Sequence, residues 1–142
     1  MALFYADASA LVKLVREEAE STALRAYLSD AAIVSSELVL TEIPRAVRRA
    51  SAHDPELPLD LLLERVGMLV DAVALRPLDR ALLAGAGALA EPALRALDAI
   101  HVAAAVDLHP IEAFVTYDER QAAAARLAGL RTMAPGTRPT TP

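Results

Sequence analysis

The chain has 142 residues, 55% of them hydrophobic, and a formal net charge of −5. That length suits one domain with a real core and is short for two. The absence of cysteine excludes disulfides and thiolate metal sites, and the acidic balance excludes binding of bulk nucleic acid by charge alone.

In chain order, Leu3–Ala6 reads as a first strand and Ser9 to about Glu17 as a helix with Leu11, Val12, Leu14 and Val15 on its apolar face. A short helix follows at Ser21–Leu28, then a strand at Ile33-Val34-Ser35. Ser36 is a good N-cap for a long helix reaching about Arg49, and Pro44 inside that helix should kink it by removing a backbone donor. Ser51 to Pro58 reads as a loop and Leu59 to Val70 as an amphipathic helix. Ala72–Leu75 is a third strand, Asp79 caps a helix to about Ala90, and Pro92 starts another that reaches Asp107. Phe114–Thr116 is a fourth strand, Glu119–Leu127 a helix and Leu130–Met133 a last short strand. Strands that alternate with helices predict an α/β fold around a parallel sheet. The Pro- and Thr-rich residues from Pro135 onward read as an irregular, partly disordered tail. The domain is therefore expected at 1–135 and the tail at 136–142.

The longest late uncharged run, Ala81 to Ala90, is about half of the ~20 residues that a membrane helix needs. The N-terminus has no basic region and Asp7 breaks its apolar stretch, so it is a poor signal peptide. A cytoplasmic protein without a membrane partner is expected.

Four carboxylates stand in unlikely company. Asp7 ends the run Leu3-Phe4-Tyr5-Ala6, and Asp118 ends Phe114-Val115-Thr116-Tyr117. In an open parallel sheet ligands bind beyond the carboxyl ends of strands, which is where both acids fall. Each is also explained as a plain helix N-cap, and a capping carboxylate can hold a metal as well. Asp98 lies among Leu94, Leu97, Ile100 and Val102, in a helix that is apolar almost all round, where a lone acid is costly unless neutralised. Glu42 lies among Leu38, Val39, Ile43 and Val47, with Arg45 and Arg49 near enough in sequence for an ordinary helix salt bridge. Four converging carboxylates suit a hard divalent cation, Mg²⁺ or Mn²⁺, and phosphodiester hydrolysis.

Around the quartet, Ser9 serves as a helix cap or a support for the metal site, and Thr116 supports Asp118. His101 follows Asp98 by one turn, and an oxygen-rich site has no need of it, so a satisfied structural histidine is expected. Basic residues other than Lys13 are all arginine, and Arg45, Arg48 and Arg49 form a candidate phosphate-contacting face. The other acids sit on solvated faces or at helix ends.

The segments Tyr5–Leu14, Ser36–Ile43, Leu97–Ala105 and Phe114–Gln121, in this order and spacing, resemble the four motifs of PIN-domain proteins, and specifically VapC-type toxin ribonucleases of bacterial toxin–antitoxin pairs. The resemblance implies an α/β/α sandwich with a short parallel sheet and a Mg²⁺- or Mn²⁺-dependent endoribonuclease. It implies an acidic quartet at Asp7, Glu42, Asp98 and Asp118, with Ser9 as its polar companion. It also implies homodimerisation, structured RNA such as tRNA or rRNA as substrate, and a cognate antitoxin that enters the active-site groove. Pro44 departs from an ordinary helical continuation after the second motif and puts the path of the Arg45–Arg49 face in doubt.

A haloacid-dehalogenase-like phosphatase would need a second Asp at position 9, and a receiver domain would need paired acids at the first strand end and a late lysine; both fit poorly. The alternative from another class is a catalytically silent PIN-like module that binds RNA or protein.

Overall fold

The computed structural model describes residues 2–138; Met1 and Pro139 to Pro142, the end of the expected tail, lie outside the described residues. Five strands and seven helices alternate along the chain. The strands are β1 Leu3–Ala6, β2 Ala32–Ser36, β3 Ala74–Arg76, β4 Ala113–Val115 and β5 Thr132–Met133. The helices are α1 Ala8–Val15, α2 Ser21–Leu28, α3 Val39–His53, α4 Leu59–Ala72, α5 Arg80–Gly87, α6 Ala96–Asp107 and α7 Glu119–Leu127. All strand pairings are parallel, in the order β3-β2-β1-β4-β5.

Side chains alternate faces along a strand, and this alternation builds two cores. Phe4 and Ala6 of β1 and Ala113 and Val115 of β4 point to one side, where they meet Leu11, Leu24, Ile43, Val47 and Leu62 of α1 to α4. Tyr5 and Phe114 point to the other side and meet Leu82, Val102, Ala104 and Ala125 of α5 to α7. The expected three-layer α/β/α sandwich follows directly. Both faces are covered, which is why β1 and β4 read as continuous apolar runs. β1 lies between β2 and β4, so connections leave it in opposite directions and open a crevice at its carboxyl end.

Several boundaries differ from the sequence expectation. Ser36 ends β2 instead of capping α3; its hydroxyl accepts from the Leu38 amide at 3.0 Å, and Leu38 takes the cap position. α3 runs past Arg49 to His53, and Pro44 lies inside it. α5 stops at Gly87, after two glycines in three residues that weaken helix propensity, and does not reach Ala90. Pro92 opens a turn instead of a helix. Glu91 accepts the Ala93 amide on its side chain and the Leu94 amide on its carbonyl, and α6 begins only at Ala96. The described part of the tail is irregular but anchored, with the Tyr117 hydroxyl donating to the Pro135 carbonyl at 2.7 Å.

Ile43 is 0% exposed and seats α3 on the sheet directly beside Glu42. Ile43→Ala should lower unfolding free energy by about 2–5 kcal/mol through lost burial and an unfilled cavity. A urea midpoint that falls at constant slope in chemical denaturation is the expected result.

Candidate acidic active site

Asp7 follows β1 and is only 2% exposed. Its extended backbone makes it the N-cap of α1, and its Oδ1 accepts from the Ala10 amide at 3.1 Å. Ser9, inside the first turn, is therefore not the cap. Its hydroxyl donates to the same Oδ1 at 2.6 Å and accepts the Tyr117 amide at 2.9 Å. The other oxygen, Oδ2, accepts from the Thr116 hydroxyl just beyond β4. Thr116 in turn accepts the Asp118 amide at 3.1 Å, so it supports Asp118 through the backbone and gives its proton to Asp7.

Gln121 completes this shell. It is 3% exposed, on the first turn of α7. With the amide nitrogen turned toward the acids, it donates to Asp7 Oδ2 at 3.1 Å and to Asp98 Oδ1 at 3.3 Å. The carboxylate of Asp7 thus has four donors for its roughly four lone-pair positions. Burial nevertheless holds its carboxyl above the usual aspartate range; the Ser9 and Thr116 hydrogen bonds pull the other way and are outweighed.

Asp98 is half-buried and sits in the first turn of α6, so it is not enclosed by an apolar helix as its sequence context suggests. Leu97 beside it is 50% exposed, and the fully covered part of α6 starts one residue later, at Ala99. The Asp98 carboxyl is held above its ordinary range, first by desolvation and second by the negative charge of Asp118. Asp118 is the N-cap of α7: its Oδ1 accepts the Arg120 and Gln121 amides at 3.0 and 3.2 Å. Its Oδ2 takes no hydrogen bond among the described residues.

Glu42 reaches the same region from the first turn of α3, and its charge is felt at both Asp98 and Tyr5. It makes no ion pair with Arg45 or Arg49. Its partner is His101 of α6, whose Nε2 lies 2.6 Å from Glu42 Oε1. His101 is 1% exposed and its Nδ1 lies 2.7 Å from the Tyr5 hydroxyl. It is a satisfied histidine, as expected, but its satisfaction ties it to a quartet acid.

Beside the acids runs a cleft of about 430 Å³ lined by Ser9, Thr41, Glu42, Arg45, Arg49 and Leu97, among others. Arg45, Arg48 and Arg49 are exposed, and none makes an ion pair among the described residues. Arg48 does not line the cleft.

The donor set of the site is all oxygen, which suits a hard cation that keeps part of its water. Among the described residues no three of His, Asp and Glu are gathered tightly enough to hold an ion by protein atoms alone. A cation here would rest on Asp98 and Asp118, whose charges already repel, with water completing its sphere. Two features escaped sequence reasoning. Gln121 carried a signal, since it stands three residues after the strand-end Asp118 and so shares its helix face. The Tyr5–His101–Glu42 connection carried none, because it joins residues 37 to 96 positions apart in the chain.

The PIN domain profile matches residues 4–127. Ribonuclease VapC35 of Mycobacterium tuberculosis is 38% identical over 141 residues, covering 94% of this chain and 98% of that protein. Ribonuclease VapC46 of the same organism is 40% identical, covering 95% of this chain and 99% of its own. Ribonuclease VapC47 is 36% identical, with coverage of 94% and 98%. Among solved structures, PAE2754 from Pyrobaculum aerophilum superposes with a TM-score of 0.63 at 16% identity, over 92% of this chain and 83% of that one, and so shares its fold. With a matching domain profile and full-length relatives of this similarity, the chain belongs to the PIN-domain family, among its VapC-type members.

Proposed function

We propose that this protein is a Mg²⁺- or Mn²⁺-dependent endoribonuclease, the toxin of a toxin–antitoxin pair, acting on structured RNA such as tRNA or rRNA. The observation that carries the reading is the set of links among the acids beyond the central strand: Gln121 bridges Asp7 and Asp98, and Asp98 feels the charges of Asp118 and Glu42. Relatives named as ribonucleases at 36–40% identity over nearly the whole chain support the choice of substrate class.

Asp98 and Asp118 would hold the cation, and Glu42 would face it across the mouth of the cleft. When bound, the ion supplies charge neutralisation at the phosphate and lowers the pKa of a bound water. Asp7 serves chiefly as a fixed anion. Its oxygens are occupied by Ser9, Ala10, Thr116 and Gln121, so it orients Gln121 and the segment after β4 and contributes negative potential. Arg45 and Arg49 are placed to take successive phosphates along the cleft, and a planar guanidinium grips a phosphate with two parallel donors. Only five aromatic side chains are present, so recognition leans on phosphates and RNA shape more than on base stacking. We further assign the cleft to a cognate antitoxin segment, the whole protein to a homodimer and its setting to the cytoplasm. No described helix is long and apolar enough to cross a membrane.

The competing reading is a silent binding module, favoured by the acids' failure to form a ready cage. Asp98→Asn separates the two. It should cut metal-dependent RNA cleavage by more than the ~10–100-fold typical of losing a supporting partner around a metal, with the circular dichroism spectrum unchanged. Equal cleavage by variant and wild type in a gel assay with Mn²⁺ rejects the assignment.

The same substitution should alter stability in a pH-dependent way. A carboxyl held above its unfolded value penalises the folded state once pH exceeds the ordinary Asp range of about 4, and the penalty is complete above the folded pKa. Metal-free Asp98→Asn should therefore melt higher than wild type at pH 8, with the difference vanishing near pH 3. Differential scanning calorimetry at both pH values checks the sign.

Reversing charge at Arg45 and Arg49 together should weaken RNA binding and flatten the plot of log affinity against log salt by about 1–2 in slope. An unchanged slope in fluorescence anisotropy titrations removes this face from the RNA path.

A further inference from the structure

Glu42, like Asp98, has a single side-chain hydrogen-bond partner among the described residues, and its partner is a buried imidazole. Asp7 is fixed by four donors, Asp118 by two backbone amides and Asp98 by Gln121. Glu42 projects from the first turn of α3 and is anchored only through Oε1, to His101 Nε2 at 2.6 Å. A glutamate has three rotatable bonds, and leaving it free costs entropy each time it must be brought to one place.

We propose that His101 is a positioning residue that holds Glu42 at the mouth of the site, with Tyr5 fixing the imidazole that does so. This rests on the reading of Glu42 as a working acid of the nuclease. The hydrogen-bond directions follow from chemistry. An ionised carboxylate only accepts, so Nε2 carries the proton and donates it to Glu42. Nδ1 is then the acceptor, and the Tyr5 hydroxyl donates to it at 2.7 Å. The phenol is fully buried, and burial pushes its pKa up, so it keeps its proton and remains a donor. The chain Tyr5 O–H to Nδ1, then Nε2–H to Glu42, fixes one tautomer and one ring orientation.

The scaffold beneath is rigid. Tyr5 lies on the central strand and stacks on Phe114 of the neighbouring strand, with ring centroids 5.0 Å apart and an interplanar angle of 15°. The His101 ring meets the Tyr5 ring edge-on at 76°. Glu42 is thereby referenced to β1, the strand that also ends in Asp7. The acid on α3 and the acid after β1 keep their separation because both are tied to one strand. Arg45 and Arg49 stand on the same helix as Glu42 but do not pair with it, so the guanidiniums stay available to the cleft.

Two readouts test the assignment, one independent of catalysis. In ¹⁵N-resolved spectra of the metal-free protein, His101 should show a protonated, hydrogen-bonded Nε2, and the signal should shift in Glu42→Ala. An Nδ1–H tautomer with a bare Nε2, or a signal indifferent to Glu42→Ala, overturns the proposal. In steady-state cleavage with Mn²⁺, His101→Leu should lower kcat about 10–100-fold with KM nearly unchanged. His101→Gln, whose amide nitrogen can take the place of Nε2, should recover most of the loss. Tyr5→Phe keeps the stacked ring and should lower kcat by a smaller factor, which guards against His101→Leu failing to fold. If Glu42→Gln is inactive while Tyr5→Phe and every folded His101 variant cut like wild type, the positioning role is wrong and the nuclease reading stands. If wild type cuts no RNA with either metal, the nuclease reading falls and takes the role with it.

Discussion

A carboxylate that is almost wholly removed from water must be solvated by the protein, and Asp7 at the end of the central strand imposes that demand on its neighbours. The donors come from three places: the first turn of α1, the residue after β4, and α7. They can reach one acid only if β4 lies directly beside β1 in parallel register. That register sets Ala6 opposite Val115, so that Asp7 and Thr116 leave the sheet side by side. The crevice where the chain reverses direction is thus also where the buried charge is met. Geometry of the sheet and placement of the acid are one constraint viewed from two ends.

The remaining acids make the arrangement costly. Asp98 is raised by its own desolvation and by Asp118, and Asp7 is raised by burial in spite of its donors. Elsewhere the molecule behaves differently: Glu17 and Asp79, which are exposed, and Glu20, which is partly exposed, are paired with Arg25, Arg76 and Lys13 and held below the carboxylate range. These surface acids are neutralised by neighbours, whereas Asp7 and Asp98 at the crevice are left in tension. Local disagreement between stability and placement is expected where a site is built for a ligand that bears the opposite charge.

Much of this was legible in the chain. The run ending in Asp7 located β1 correctly and the run ending in Asp118 located β4 to within one residue at each end, because a strand buried on both faces leaves an unbroken signal. The apolar enclosure read for Asp98 was mistaken. Its helix starts later than Pro92 suggests, so the acid lies half-buried in the first turn, and its perturbation comes first from desolvation and then from Asp118 across space. Ser36 looked like a cap because serine before an apolar helix usually is one; here it closes a turn two residues early. What could not be read were links between distant residues. Helical spacing offered Glu42 a salt bridge to Arg45 or Arg49 as one reading, yet α6 brings His101 to within 2.6 Å, and a short contact to a rigid ring outcompetes a floppy surface pair.

That substitution of partners has a consequence for the proposed handling of a polyanion by an acidic protein. The net charge of −5 would repel RNA if it were spread evenly. It is not. Lys13, Arg25 and Arg76 are spent on carboxylates, while the three arginines of α3 are exposed and free of ion pairs among the described residues. Because histidine holds Glu42, the arginines next to it in the helix need not. The same contact that fixes an acid at the cleft mouth therefore releases Arg45 and Arg49 to line the cleft with positive charge. Long-range repulsion between exposed charges is screened beyond about 8–10 Å at physiological salt. Within that distance of the cleft, the unpaired guanidiniums of Arg45 and Arg49 oppose the negative potential of the acids that an incoming phosphate meets.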